Sequence, residues 1–168
     1  NKINYGILRY FNIVGSSNSG KIGLINQGDH LFKNFSTQSF KKNPVFKIYG
    51  SDYKTKDGSC IRDFIHVSDI ALVHIKVLEK INKVNKSKIL NCGYGIGKSV
   101  KQVAKEFKKY ENKKLKIIEM PRRKGDIVKI IASNKKLKKF IKWKPKFNNL
   151  SLMVKSSLRW EKSIVKQK

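Results

Sequence analysis

The sequence predicts an α/β protein, and three observations predict it. Short apolar runs rich in aromatic and β-branched residues read as strands, amphipathic stretches with apolar residues at helical spacing lie between them, and Gly, Ser, Asn and Pro turn signals separate the two. The alternation of strand and helix is carried through the chain with no internal repeat and no low-complexity linker. A length of 168 residues suffices for one ordinary core, so a single domain or part of a larger one is expected.

Taken in order, Tyr5 to Phe11 (YGILRYF) reads as a buried strand, and Gly15 to Gly20 as a polar loop. His30-Leu31-Phe32 opens a helix to about Phe40, and Pro44 to Tyr49 alternates as a strand does. Turn chemistry fills Gly50 to Gly58 and leads into an apolar run near Phe64. Ser68 and Asp69 are the expected N-terminal cap of a helix over Ile70 to Ile81. Ile89-Leu90 is an apolar run before a glycine loop, and Ser99 to Phe107 a helix with Ser99 able to cap it. Leu115 to Ile118 is a strand candidate. Ser133 precedes a short basic helix that Trp143-Lys144-Pro145 breaks, and Leu150 to Val165 closes as an amphipathic helix.

Charge is the most unusual number: 39 Lys plus Arg against 11 Asp plus Glu give +28. A basic nucleic-acid-binding module is one function class this admits. Only five of the 39 are arginine (Arg9, Arg62, Arg122, Arg123, Arg159), and base-edge contacts favour arginine. The lysines are spread along the whole chain, which favours a solvated surface over a dedicated nucleic-acid face. No apolar run approaches the roughly 20 residues that cross a bilayer, so no membrane partner is expected. Cys60 and Cys92 lack metal-ligand spacing and no secretory leader is legible, so a reducing cytoplasm is the expected compartment.

The stretch NCGYGIGKS, residues 91 to 99, stands between a strand and a helix as phosphate loops do. It fits neither template. A P-loop needs glycine where Cys92 stands, and the third glycine of a G-x-G-x-x-G loop falls on Lys98. A structural turn is the better reading.

Residues 49 to 67, YGSDYKTKDGSCIRDFIHV, pack Asp52, Asp57, Arg62, Asp63 and His66 together. Their spacing matches no standard metal-ligand pattern. Arg62 suits phosphate oxygens, because a planar guanidinium makes paired hydrogen bonds; an internal Arg-Asp pair stabilising the loop explains it equally well. Arg122-Arg123-Lys124-Gly125-Asp126 raises the same question, and two arginine sites amid a lysine surplus suit a diphosphate. No nucleophile triad is legible around His30, His66 or His74.

Four blocks in order, LRYFNIVG (8 to 15), YGSDYKTKDGSCIRDFIHVSDIA (49 to 71), LNCGYGIGKSV (90 to 100) and RRKGD (122 to 126), make the chain resemble the UDP-glucose 4-epimerases of the extended short-chain dehydrogenase/reductase superfamily. The resemblance covers the whole chain but only the second half of the family's sequence. It implies part of a Rossmann-type parallel sheet plus a smaller substrate-binding α/β region, with residues 1 to 14 at the nicotinamide side and 15 to 168 mainly binding substrate. It implies NAD as cofactor, with Tyr10 and Phe11 beside the nicotinamide, and a UDP-hexose as substrate. Asn12 then meets the diphosphate, His30 and Leu31 approach the nucleotide sugar, and the strand Lys47-Ile48-Tyr49 holds the uracil. Arg62 and Arg123 are the diphosphate arginines, Val100 lines the uridine pocket, Asp126 accepts from ribose hydroxyls, and Ile130 limits room for N-acetylated sugars.

The implied chemistry is epimerisation at C4 through a 4-keto sugar, in a full-length homodimer. A dehydratase or decarboxylase of the same superfamily is the nearer alternative. The family's acid–base pair, Tyr-x-x-x-Lys on a helix, and its glycine-rich NAD loop are expected upstream of Asn1. Tyr94 with Lys98 and Tyr110 with Lys114 have the spacing but not the helical setting. Two departures stand out: Leu24 replaces an acidic residue, and Lys33 a proline. A half-sheet is also expected to leave apolar strand faces uncovered.

Overall fold

A computed structural model describes residues 3 to 25, 28, 30 to 110 and 115 to 165. The α/β expectation holds: strands and helices alternate, and the longer strand pairs are parallel. β1 (Gly6–Tyr10) pairs in parallel with β5 (Lys88–Cys92), and β3 (Val45–Tyr49) with β7 (Lys116–Met120). The central strand is β4 (Ile61–His66). Its second half pairs in parallel with β2 (Asn12–Val14), and its first half lies between antiparallel β6 (Gly97–Ser99) and parallel β8 (Lys129–Ile130). The strand predicted over Tyr5 to Phe11 is β1, and β2 beyond Phe11 is a further, unpredicted strand in a different sheet. β1 is not buried as predicted, since all its residues but Leu8 are exposed.

The helices are α1 (Leu31–Ser39), α2 (Val67–Val84), α3 (Val100–Lys108), α4 (Lys135–Ile141) and α5 (Leu150–Val165). α5 has the predicted bounds. Ser99 caps α3 as predicted: its hydroxyl accepts from the Gln102 amide at 3.0 Å while the Gln102 side chain accepts from the Ser99 amide at 2.9 Å. α2 corrects the sequence reading. It starts earlier, at Val67, and its cap is His66, whose Nδ1 accepts from the Ser68 amide at 3.1 Å. Asp69 is buried instead, accepting from the Tyr94 hydroxyl at 2.6 Å and from the Lys146 and Phe147 amides at 2.9 Å each.

Four phenylalanines hold the substructure on which the cavity described below is built. Phe35 of α1 stacks on Phe46 of β3 at 4.1 Å between ring centroids, and Phe107 of α3 meets Phe32, Phe35 and Phe46 at edge-on angles of 70° to 89°. All four are essentially inaccessible to solvent, which fixes α1, α3 and β3 as one body. By contrast β1 and β5 leave apolar side chains open, with Ile7 45 % and Ile89 46 % exposed. That matches the uncovered strand faces expected of a partial sheet.

Lys33, where the resemblance expects proline, is buried in α1 and bonds Glu161 of α5 at 2.6 Å. Thr37 donates to the other carboxylate oxygen at 3.0 Å. Removing one partner strands a charge in the interior, so Glu161→Ala is expected to cost about 3–5 kcal/mol. A Lys33→Met/Glu161→Leu double variant should recover most of it. Urea denaturation of the three proteins checks this, and a double variant as unstable as the single one would contradict it.

Candidate functional site

Nine of the site positions singled out in the sequence converge on a cavity of about 520 Å³ between α1, β3, β4 and the start of α3, and Tyr10, Phe11, Ile48 and Ile130 do not line it. Asn12, His30, Leu31, Lys47, Tyr49, Arg62, Val100, Arg123 and Asp126 line it. Local structure accounts for each placement. β3 alternates, so Lys47 and Tyr49 face the cavity while Ile48, 1 % exposed, faces the core. Ile48 is therefore a correction among the predicted contacts: its side chain does not line the cavity but packs in the core.

Strand parity also resolves Arg62. Adjacent strand residues point to opposite faces, so Arg62 reaches the cavity and Asp63 is buried behind it. The carboxylate partner of Arg62 is Asp126, at 3.4 Å, and its guanidinium also donates to the Ile127 carbonyl at 2.6 Å. Arg123 stacks over the Tyr49 ring, 3.9 Å from guanidinium carbon to centroid. Arg122 is turned to another task, bonding Asp52 at 2.8 Å over the Tyr53 ring. Ile130 lies on β8 in register with Arg62.

α1 supplies further cavity residues that the sequence reading missed: Asn34 and Gln38, with Lys41 just beyond the helix. Their signal was spacing from Leu31, which puts Asn34 and Gln38 on the same helical face. Lys41, Lys47, Arg62 and Arg123 against Asp126 make the lining strongly cationic. Such a lining can hold a dianionic or trianionic phosphate group.

A second, apolar cavity of about 590 Å³ adjoins the first and shares Asn12 and His30 with it. Tyr10, Phe11, Phe32 and Trp160 give it aromatic walls, a fit for a planar ring. Tyr10 also bonds His74 at 2.5 Å. At the seam, Asn12 donates its amide to the Asp63 carbonyl at 3.0 Å. His30 Nε2 donates to the Ile13 carbonyl at 2.7 Å, leaving Nδ1 buried with no hydrogen-bond partner among the described residues.

Burial holds the His30 pKa down, against the Ile13 carbonyl that raises it, and burial also lowers His66. Both are neutral in the fold. Above the ordinary histidine value near 6.5 they are neutral when unfolded too. As pH falls below it, the unfolded chain takes up protons that the folded chain refuses, so stability falls with pH. Thermal unfolding should therefore shift to lower temperature between pH 7.5 and 5.5, and an unchanged midpoint would contradict the buried neutral assignments.

Asp63, named in the sequence with a possible arginine partner, is bound instead by backbone amides. One carboxylate oxygen accepts from the Tyr94 amide at 3.0 Å, the other from the Gly95 and Ala132 amides at 2.8 and 3.1 Å. Burial pushes its pKa up while these three amides pull it down; donors on both oxygens require the ionised form. It ties β4 to the glycine turn and to the segment after β8, and so sets the strands that present Arg62. Gly93 is needed here because a Cβ would lie 2.5 Å from that of Ala132 and 2.7 Å from an Asp63 oxygen, and Gly95 has φ of 74°.

The NCGYGIGKS turn is thereby structural. Tyr94 is buried, its hydroxyl donating to Asp69, and burial followed by the Asp69 carboxylate raises its pKa far above the ordinary tyrosine value. Lys98 lies on β6, so this pair has no helical spacing. Of the other spaced pair, Tyr110 follows α3 and Lys114 lies outside the described residues. Burial pushes the Cys92 thiol up to about 11, and both cysteines are free and buried. Among the described residues no cluster of potential ligands could hold a metal ion, and no helix is long and apolar enough to cross a membrane.

Concave cavities that combine apolar and aromatic walls with a few convergent charged groups are the usual form of small-molecule and cofactor sites. The model for the NAD dependent epimerase/dehydratase family matches residues 1 to 93, and the chain belongs to that family. The UDP-glucose 4-epimerase of Azospirillum brasilense is 36% identical over 159 residues, covering 94% of this chain and 46% of that protein. Among solved structures, a UDP-glucose-4-epimerase from Stenotrophomonas maltophila with bound NAD and formylated UDP-arabinopyranose superposes with a TM-score of 0.93 at 29% identity, covering 100% of this chain and 50% of the other. UDP-glucose 4-epimerase from Bifidobacterium longum in complex with NAD+ and UDP gives 0.81 at 33%, covering 95% and 48%. The chain thus spans about half the length of the relatives it matches.

Proposed function

We propose that this chain is the substrate-binding half of a UDP-hexose 4-epimerase, which interconverts UDP-glucose and UDP-galactose through a 4-keto sugar. The observation that carries the reading is that the predicted substrate contacts, Ile48 excepted, converge on one cationic cavity. Its shape suggests the order of a UDP moiety. Tyr49 and the edge of β3 meet the uracil, Val100 and Asp126 the uridine, and Arg62 with Arg123 the diphosphate, leading to Asn12 and His30 at the seam. Binding costs Arg62 its bonds to Asp126 and to the Ile127 carbonyl, and Arg123 its place on Tyr49. Phosphate oxygens replace these partners, and Asp126 is released to accept from ribose hydroxyls.

The apolar cavity beyond the seam, with Tyr10 and Phe11, fits the nicotinamide end of NAD. When bound, that cofactor supplies hydride acceptance and return at the sugar's C4. This chain's residues hold the sugar nucleotide, keep neutral His30 at the seam, and exclude water with Phe11, Phe32 and Trp160. The proton-transferring tyrosine–lysine pair is assigned to residues outside these 168, since Tyr94 is buried on Asp69. The first 14 residues then belong to the nicotinamide side through Tyr10 and Phe11. Residues 15 to 168 are mainly the substrate-binding region but also lend Phe32 and Trp160 to that side. Ile130 beside Arg62 limits N-acetyl groups, and the complete enzyme acts as a cytoplasmic homodimer.

The experiment is a pair of assays on the 168-residue chain: UDP binding by calorimetry and turnover of UDP-galactose with added NAD. Binding without turnover is expected. Robust turnover would overturn the assignment of the proton-transfer pair, and the absence of UDP binding by folded protein would overturn the cavity assignment.

A further inference from the structure

We propose that a second surface, the groove formed by α2, β5 and α4, is a docking site for an acidic polypeptide segment that also carries apolar side chains. It shares no lining residue with the sugar-nucleotide cavity and is larger, at about 1060 Å³. The inference does not depend on the proposed enzymatic reading.

The charge around the groove is concentrated well beyond the lysine richness of the chain. Lys76, Lys80 and Lys83 recur at i, i+4 and i+7, one stripe of α2. Lys136 and Lys139 stand three apart on α4, with Lys142 at its left-handed C-cap. Lys86 and Lys88 bring the number of lysines to eight, and Glu79 is the single acid in the lining. None of the eight forms an ion pair among the described residues. Lysines placed one turn apart repel, so the unliganded stripe carries a cost that a polyanion removes. Some of this charge answers the two helix C-termini that end here, Val84 before Asn85 and Ile141 before Lys142. Lys76, Lys80 and Lys88 stand outside those last turns.

The floor selects the kind of polyanion. Val84 is 41 % exposed, and Phe140 and Ile141 are half-buried beside buried Leu90. A sugar–phosphate backbone would leave these side chains wet, and a flat bilayer does not enter a concave groove. Stacking of single-stranded bases needs several aromatic faces, whereas Phe140 is the only aromatic in the lining and Lys88 sits 5.6 Å from its centroid. No arginine is present, although arginine suits planar bidentate phosphate contacts. Flexible ammonium groups around an apolar strip complement a segment in which carboxylates alternate with aliphatic side chains.

The test is fluorescence anisotropy on the full chain with four probes: a labelled peptide alternating glutamate with leucine, polyglutamate of the same length, a single-stranded oligothymidylate, and phosphatidylserine vesicles. The alternating peptide is expected to bind tightest. The triple variant K80E/K83E/K139E should weaken it by roughly tenfold or more, and K80Q/K83Q/K139Q by less. These lysines are exposed, so folding should survive, which circular dichroism checks. Equal binding of polyglutamate and the alternating peptide, tighter binding of the oligonucleotide or vesicles, or an affinity unmoved by both triple variants would overturn the proposal.

Discussion

Replacing Asp63 by alanine is expected to cost about 3–5 kcal/mol of stability, enough to unfold a marginal domain. The mechanism is specific. Three backbone amides, those of Tyr94, Gly95 and Ala132, converge on one carboxylate, and alanine leaves them without an acceptor. Asparagine keeps one acceptor oxygen but sets an NH2 group against at least one N–H donor, so Asp63→Asn should fall between wild type and alanine. Equilibrium urea denaturation gives the ordering. The variant should also lose UDP affinity before it loses helix content, because β4 and the segment after β8 are the elements it ties together. A mild effect, under about 1 kcal/mol, would mean that water or neighbouring groups satisfy those amides in solution.

The second large effect is on binding. Arg62→Ala is expected to weaken UDP binding by about 2–4 kcal/mol, roughly 30- to 800-fold. Arg62→Lys should recover only part of this loss, because an ammonium cannot reproduce the planar fork. Arg62 is presently held by Asp126 and the Ile127 carbonyl, so Asp126→Ala has two opposed consequences. It frees Arg62 for phosphate and removes a ribose acceptor, and its net effect should be smaller than that of losing Arg62. Calorimetric titration of the three variants orders them. If alanine and lysine at position 62 are equally impaired while charge neutralisation elsewhere in the cavity has the same effect, then general electrostatics rather than guanidinium geometry governs binding.

Much of the fold was legible because long, periodic elements announce themselves. α5 has the predicted bounds, and α1, α3 and β3 lie within a residue or two of them. The failures have physical causes. β6 and β8 have three and two residues, too few for a period-2 pattern to register. β4 was hidden because its first half carries Arg62 and Asp63, polar residues whose burial is compensated by partners distant in sequence. The cap of α2 was misplaced because His66 acts where Ser68 and Asp69 are the commoner types, and Asp69 was taken into the interior by Tyr94 and by the chain at Lys146 and Phe147.

The site was legible in a different way. Scarcity of arginine pointed to Arg62 and Arg123 before any resemblance was invoked, and both line the cavity. That the Ile48 side chain faces away from the cavity could have been read on sequence alone, since Lys47 and Tyr49 sit on the opposite strand face from it. Asn34 and Gln38 needed only the question of which face of α1 Leu31 occupies. Asp63 could not have been read locally, because its three partners come from residues 31 to 69 positions away. Charge concentration on the α2–β5–α4 groove was likewise invisible, since its lysines are brought together from two separate stretches of the chain.

The central claim is that the cationic cavity holds the UDP moiety of a sugar nucleotide. Heteronuclear NMR titration of the chain with UDP tests it most directly. The predicted result is saturable shifts confined to β3 at Lys47 to Tyr49, the Arg62 and Arg123 side chains, Asn34 and Gln38 of α1, and Val100, with none in the α2–β5–α4 groove. Shifts centred on that lysine groove, with the cavity residues unmoved, would contradict it.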